Sequence, residues 1–151
     1  MHDTLLLYAD GSYQPIDRSG GWAFVVFKGD QQIHSARGTE TGLTNNGLEV
    51  LAVVNAATWI EAEAVGRDAT LFTDSAHVVE GCLHWRSIWR NNGWKRYNPN
   101  SRARARAIPD AGLWRQLDDL LLRNPAIRVE WCKGHSSILG NELADALARM
   151  K

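Results

Sequence analysis

The sequence predicts one α/β domain built on a mixed β-sheet. Three observations carry this reading. Short apolar runs bounded by glycine and aspartate crowd the first 40 residues, which suits an antiparallel meander. Helical and strand-like periodicities then alternate to the end of the chain, which suits parallel strands. The length, 151 residues, is room for a single domain. At 44% hydrophobic and 23% charged residues the composition is that of an ordinary globule, which excludes collagen-like, disordered and disulfide-scaffold classes. No apolar run approaches the ~20 residues needed to cross a bilayer.

Leu5–Ala9 is an apolar run stopped by Asp10-Gly11-Ser12, so it reads as a buried strand ending at a turn. Gly20-Gly21 opens Trp22–Phe27, aromatic and β-branched, hence a second strand. Lys28-Gly29-Asp30 is a hairpin turn, and Gln31–Gly38 has the mixed polarity of an edge strand. Thr44-Asn45-Asn46 supplies capping side chains for a long helix. Its inward face is predicted to be Leu48, Leu51, Ala52, Asn55, Ala56, Trp59 and Ala62, and Gly66 stops it. Ala69–Thr73 is a strand followed by Asp74. Ser75–Leu83 and Ser87–Asn91 read as two short helices. After Pro109-Asp110 comes an amphipathic helix through Leu113, Trp114, Leu117 and Leu120, then a strand at Ile127–Cys132 and a last helix at Asn141–Met150.

The net charge is zero but unevenly placed. Between Gly81 and Pro109 there is no acid, while Arg86, Arg90, Lys95, Arg96, Arg102, Arg104 and Arg106 supply seven of the 17 basic residues. Trp85, Trp89, Trp94 and Tyr97 interleave with them. Cations for phosphates and rings for sugars or bases suit a nucleic acid. The helical spacing of Trp85 and Trp89 predicts that at least one is core. Arg102, Arg104 and Arg106 recur every second residue and share one face of an extended ribbon.

Asp10 and Asp74 both follow strands and are both followed by serine. If those strands are adjacent and parallel, the two acids meet beyond one sheet edge, where α/β folds bind ligands. Glu49 lies early in the long helix, where an acid also serves the helix dipole. Asp145 lies in the last helix and reads equally as surface charge. Convergent carboxylates repel and take up protons unless a cation holds them. Hard oxygen ligands suit Mg²⁺, and two such ions make a phosphodiester-cleaving site. Cys82 and Cys132 lack metal-like spacing and read as small buried hydrophobes. With no signal-peptide pattern at the N-terminus, a cytoplasmic protein is expected.

Four motifs now stand in order: Tyr8-Ala9-Asp10-Gly11-Ser12; Thr44-Asn45-Asn46-Gly47-Leu48-Glu49; Thr73-Asp74-Ser75; and Lys133-Gly134-His135 with Asn141-Glu142-Leu143-Ala144-Asp145. Together they resemble a type 1 ribonuclease H, with Gly93-Trp94-Lys95 and the following basic loop similar to the substrate-handling protrusion of bacterial members. The resemblance implies a five-stranded mixed sheet with helices on both sides. It implies one catalytic domain over residues 1–151, with a basic, Trp-rich protrusion around 84–107. It implies hydrolysis of the RNA strand of RNA/DNA hybrids with two Mg²⁺ ions, Mn²⁺ being a substitute. Asp10, Glu49, Asp74 and Asp145 would hold the ions, Asp10 bridging both. His135 would move a proton, and Glu142 is a secondary candidate near one ion. Thr44, Asn45, Asn46, Trp85, Trp94, Lys95, Arg102, Arg104 and Arg106 would bind substrate. A monomer with no membrane and no obligate protein partner is expected.

Three positions depart from the family pattern: Ile16 stands where an asparagine is usual, Ala76 where a glutamine is common, and Gly47 where a larger residue is found. They thin the expected minor-groove contacts, and Gly47 weakens the helix start by up to ~1 kcal/mol. Two other readings stay open at this point: a nuclease of the wider superfamily that cuts DNA, and a hybrid-binding domain without turnover.

Overall fold

The computed structural model describes residues 4–95, 107–134 and 138–150. Five strands, β1 (Leu5–Gln14), β2 (Ser19–Lys28), β3 (Gln31–Thr41), β4 (Ala69–Thr73) and β5 (Ile127–Trp131), form one sheet in the order β3-β2-β1-β4-β5. β1, β2 and β3 are antiparallel, while β4 and β5 run parallel to β1. The expected mixed sheet is present, with β3 at one edge and β5 at the other.

β1 does not stop at Asp10. The parallel ladder with β4 ends at Ala9 opposite Thr73, but β1 continues to Gln14 paired with β2 alone. Gly11 is therefore a strand residue rather than a turn. Its missing side chain admits the backbone of the long helix: a Cβ there would lie 2.7 Å from the Leu48 carbonyl carbon and 2.8 Å from the Glu49 nitrogen. The turn comes later, where Asp17 accepts from the Ser19 backbone N–H and hydroxyl.

Helix α1 (Asn45–Glu63) starts where predicted, with the Thr44 hydroxyl accepting from the Gly47 N–H at 3.1 Å. Its buried face is wider than the sequence pattern suggested. Leu48, Ala52 and Ala56 are buried, but so are Val50, Val53, Val54, Ala57 and Ile60, whereas Ala62 is exposed. The reason is that α1 packs both on the sheet and on α4 (Ala111–Arg123), so it has two apolar faces.

The two short helices expected after Asp74 are one continuous helical run: α2 (Ala76–Glu80), a π-helical turn (Gly81–Trp85) and α3 (Arg86–Asn91). The wide turn sits where Trp114 enters. A Cβ on Gly81 would lie 2.2 Å from that indole. Trp89 packs edge-on against Trp114 with ring centroids 5.3 Å apart, while Trp85 stacks on Trp89 and stays about half exposed, at 49%. Thus Trp89 is the residue that joins the core. Arg86 and Arg90 are not free basic charge: each donates to Asp118 Oδ1 at 2.7 Å, and Asp118 is buried on α4.

The opposite face of the sheet is covered by α5 (Leu139–Arg149), whose Ala144 packs with Val25 and Phe27. Arg37 on β3 caps that helix by donating to the Leu147 and Met150 carbonyls. Cys82 and Cys132 are buried free thiols. Among the described residues no helix is long and apolar enough to cross a membrane.

Candidate active site

The sheet topology sets the site. Because β1 and β4 are adjacent and parallel, Asp10 and Asp74 follow the last paired residues of one ladder, Ala9 and Thr73. Glu49 arrives from the second turn of α1, beyond the first-turn positions that best serve the helix dipole. It is held instead by Gly11, whose backbone N–H donates to Glu49 Oε1 at 2.6 Å. Asp10, Glu49 and Asp74 each place a carboxylate oxygen within 4.8 Å of the others.

Two of these acids are deeply buried, Asp10 at 4% and Glu49 at 5% exposure. Burial, then the charge of Glu49, pushes the Asp10 carboxyl far above the usual carboxylate range. Burial also raises Glu49, to about 7. Glu49 Oε2 is buried and has no hydrogen-bond partner within geometric limits among the described residues. Carboxylate oxygens converging from three acids, two of them buried, make a receptor for a hard cation once their protons leave. The Cys132 thiol beneath the cluster is pushed up to about 11 by its own burial and by the charges of Asp74, Asp10 and Glu49.

The cluster floors an open cleft of about 340 Å³ whose walls include Asn45, Asn46, Ser75, Asp145 and Arg149. Asp145 is near enough to act on Asp10 and raise its pKa, yet it stands outside the three-acid group. Its Oδ1 accepts from Arg149 Nε at 3.1 Å, one helical turn on. The i,i+4 spacing of that pair was visible in the sequence. Gly11 and Arg149 were not singled out there, and only the fold shows that they touch the acids.

The other sequence candidates divide. Asn45 and Asn46 are exposed at the cleft, while the Thr44 hydroxyl is engaged as helix cap. Trp85 and Lys95 are exposed away from the cleft wall. Trp94 is partly buried against the core, its backbone in the left-handed region at φ 63°. Glu142 is exposed in the first turn of α5 and does not line the cleft. His135, Arg102, Arg104 and Arg106 lie outside the described residues. Of the departures, Ile16 is 98% exposed and Ala76 opens α2. Gly47 has a structural partner: a Cβ there would lie 2.9 Å from Asp110 Oδ1, so the Asp110 carboxylate occupies the space of a side chain.

Comparison with known proteins agrees with this geometry. A family model described as RNase H matches residues 2–151. Ribonuclease H of Polynucleobacter asymbioticus is 35% identical, over 97% of this chain and 88% of that protein. Ribonuclease H of Jannaschia sp. is 34% identical, over 96% and 88%. Among solved structures, LC9-RNase H1, described as a type 1 RNase H with the type 2 active-site motif, superposes with a TM-score of 0.79 at 25% identity, covering 98% of this chain and 71% of that one. A foamy viral protease-reverse transcriptase in complex with RNA/DNA hybrid shares the fold, with a TM-score of 0.80 at 22% identity over 97% of this chain and 20% of that one. With the sheet, the convergent acids and the full-length matches in agreement, the chain belongs to the ribonuclease H family.

Proposed function

We propose that this ribonuclease H cuts the RNA strand of RNA/DNA hybrids at the Asp10–Glu49–Asp74 cluster, using two Mg²⁺ ions for which Mn²⁺ can substitute, and leaves 3′-hydroxyl and 5′-phosphate ends. The observation that carries the reading is a group of three acids, Asp10 and Glu49 buried among them, that each place a carboxylate oxygen within 4.8 Å of the others. Bound divalent ions supply Lewis-acid charge to the attacking and leaving oxygens of an in-line displacement.

The chain's own groups do the rest. Asp10, Glu49, Asp74 and Asp145 would hold the ions, Asp10 shared between them, Glu49 and Asp74 on the leaving-group side and Asp145 on the side of the attacking water. Asp145 must first part from Arg149, which frees a guanidinium on the cleft wall for a phosphate oxygen. Water adds to phosphorus as the bond to the 3′ oxygen breaks, and His135 carries a proton toward that oxygen. Asn45 and Asn46 present amides to sugar and base edges in the minor groove. Thr44 and the start of α1 meet a phosphate of the DNA strand. Trp85 offers an exposed ring face to a sugar, while Trp94, Lys95, Arg102, Arg104 and Arg106 bind the hybrid backbone. The protein works as a monomer, in a cytoplasm whose reducing state suits two buried thiols.

The test is a labelled RNA/DNA hybrid incubated with Mg²⁺ or EDTA, beside an Asp10→Asn control, single-stranded RNA and duplex RNA. Metal-dependent cutting confined to RNA in the hybrid, and lost in Asp10→Asn, is the expected result. Cutting of duplex DNA instead favours a DNA nuclease, and tight hybrid binding without cutting favours a binding module.

A further inference from the structure

β5 reaches the acidic cluster without contributing an acid to it. Its register with β4 sets Trp131 opposite Thr73, the residue before Asp74. The Trp131 indole N–H donates to the Asp74 backbone carbonyl at 3.2 Å. Immediately beyond, the Cys132 N–H donates to the Thr73 carbonyl at 2.9 Å, which carries the ladder one step past the last strand pair. The chain then turns so that Gly134 lies against the Asp74 side chain. A Cβ on Gly134 would come within 2.8 Å of Asp74 Oδ2 and 3.3 Å of its Cβ and Cγ. Gly134 does not have positive φ, so the backbone itself does not call for glycine. The close approach to Asp74 does.

We infer that Gly134 and Trp131 are positioning residues that clamp Asp74 from the β5 side, Trp131 by its carbonyl and Gly134 by its carboxylate, and so set how tightly the cluster takes Mg²⁺. This rests on the metal-dependent reading above. The need is physical. Asp74 lies past the end of its strand and is the least buried of the three clustered acids. A methyl group at position 134 forces the Asp74 oxygen back by roughly 0.7 Å to reach ordinary contact distance. Mg²⁺ requires near-ideal octahedral geometry at about 2.0–2.1 Å, whereas Ca²⁺ accepts 6–8 oxygens in a flexible shell. A clamp on a ligand therefore predicts a loss that discriminates between the two ions, which general destabilisation does not.

The experiment is calorimetric titration of the nucleic-acid-free protein with Mg²⁺ and with Ca²⁺, for the unmodified chain, Gly134→Ala and Trp131→Phe, with thermal unfolding in EDTA alongside. For Gly134→Ala the Mg²⁺ dissociation constant is expected to rise about 10–100-fold, the usual cost of disturbing a group that orients a ligand. The Ca²⁺ constant should rise less than about 3-fold, and Tm in EDTA should stay within a few degrees. Trp131→Phe keeps an aromatic ring, loses the N–H and should move the Mg²⁺ constant the same way by a smaller factor. It carries the test if Gly134→Ala does not fold. Unchanged Mg²⁺ binding, or equal losses for both ions, overturns the clamp. If the unmodified chain binds neither ion, the metal-dependent reading fails first and takes the clamp with it.

Discussion

Asp10→Asn in metal-free protein isolates what the acidic cluster costs the fold. Asp10 is 4% exposed, and its carboxyl is raised from 3.8 to about 10, first by burial and then by Glu49. At pH 7 the folded chain therefore keeps a proton that the unfolded chain has released. Keeping it costs about 4 kcal/mol, at roughly 1.4 kcal/mol per pH step. A carboxyl whose folded pKa is raised makes the native state bind more protons than the unfolded state. Its drag on stability is absent below about pH 4 and grows as pH rises toward about 10. Asparagine preserves the shape and does not titrate. In EDTA at pH 7, Asp10→Asn should be more stable than the parent by about 2–4 kcal/mol, or roughly 5–15 °C in Tm for a chain of this size. Urea and thermal unfolding in EDTA from pH 4 to 9 measure this, and the gain should fade toward the acid end. A variant no more stable than the parent at pH 7, or a gain that grows as pH falls, refutes the electrostatic account.

Glu49→Gln keeps an oxygen for the Gly11 N–H but replaces the free carboxylate oxygen with an amide. Mg²⁺-dependent cutting should fall by about 100-fold or more while Tm in EDTA holds, as steady-state assays and calorimetry will read. Because Glu49, raised to about 7, and Asp10, raised to about 10, must release protons to hold a cation, Mg²⁺ affinity should climb from about pH 6 through pH 9, and titrations in that range check the slope. Asp118→Ala removes the buried acid that pairs with two partly exposed guanidinium groups and should cost about 1–3 kcal/mol in urea unfolding, where a merely surface pair would cost under about 1. Gly47→Ala should gain little, because its methyl meets Asp110 Oδ1. In an Asp110→Gly background, which suits the φ of 60° at that position, the same change should stabilise by about 0.5–1 kcal/mol.

The strands and helices were legible where local chemistry decides them. Thr44 caps its helix because a hydroxyl there reaches the Gly47 N–H, and Gly29, at φ 60°, turns the first hairpin. The meeting of Asp10 and Asp74 followed from two strand ends and the rule that ligands sit beyond them. What stayed hidden depends on partners distant in the chain. Gly11 looked like a turn because nothing nearby shows that α1 presses on it from 38 residues away. The face of α1 was misjudged because α4 adds a second apolar contact that periodicity cannot announce. The π-helical turn exists because Trp114 fits over Gly81, again a long-range event. Asp145 lines the cleft with the other acids, but its tie to Arg149 one helical turn on shows only in the folded helix.

The pairing of Arg86 and Arg90 with buried Asp118 changes the counterion arithmetic of the protrusion. Asp118 cancels one of those two positive charges, so the seven basic residues of the acid-free stretch carry a net charge of six toward a nucleic acid. At roughly 0.9 counterions per phosphate neutralised, the stretch accounts for a log–log slope no steeper than about 5.4, where seven uncompensated cations would give about 6.3. A tenfold rise in salt then weakens its grip by at most about 5.4 powers of ten, and the buried acid spares the enzyme about one power of the penalty.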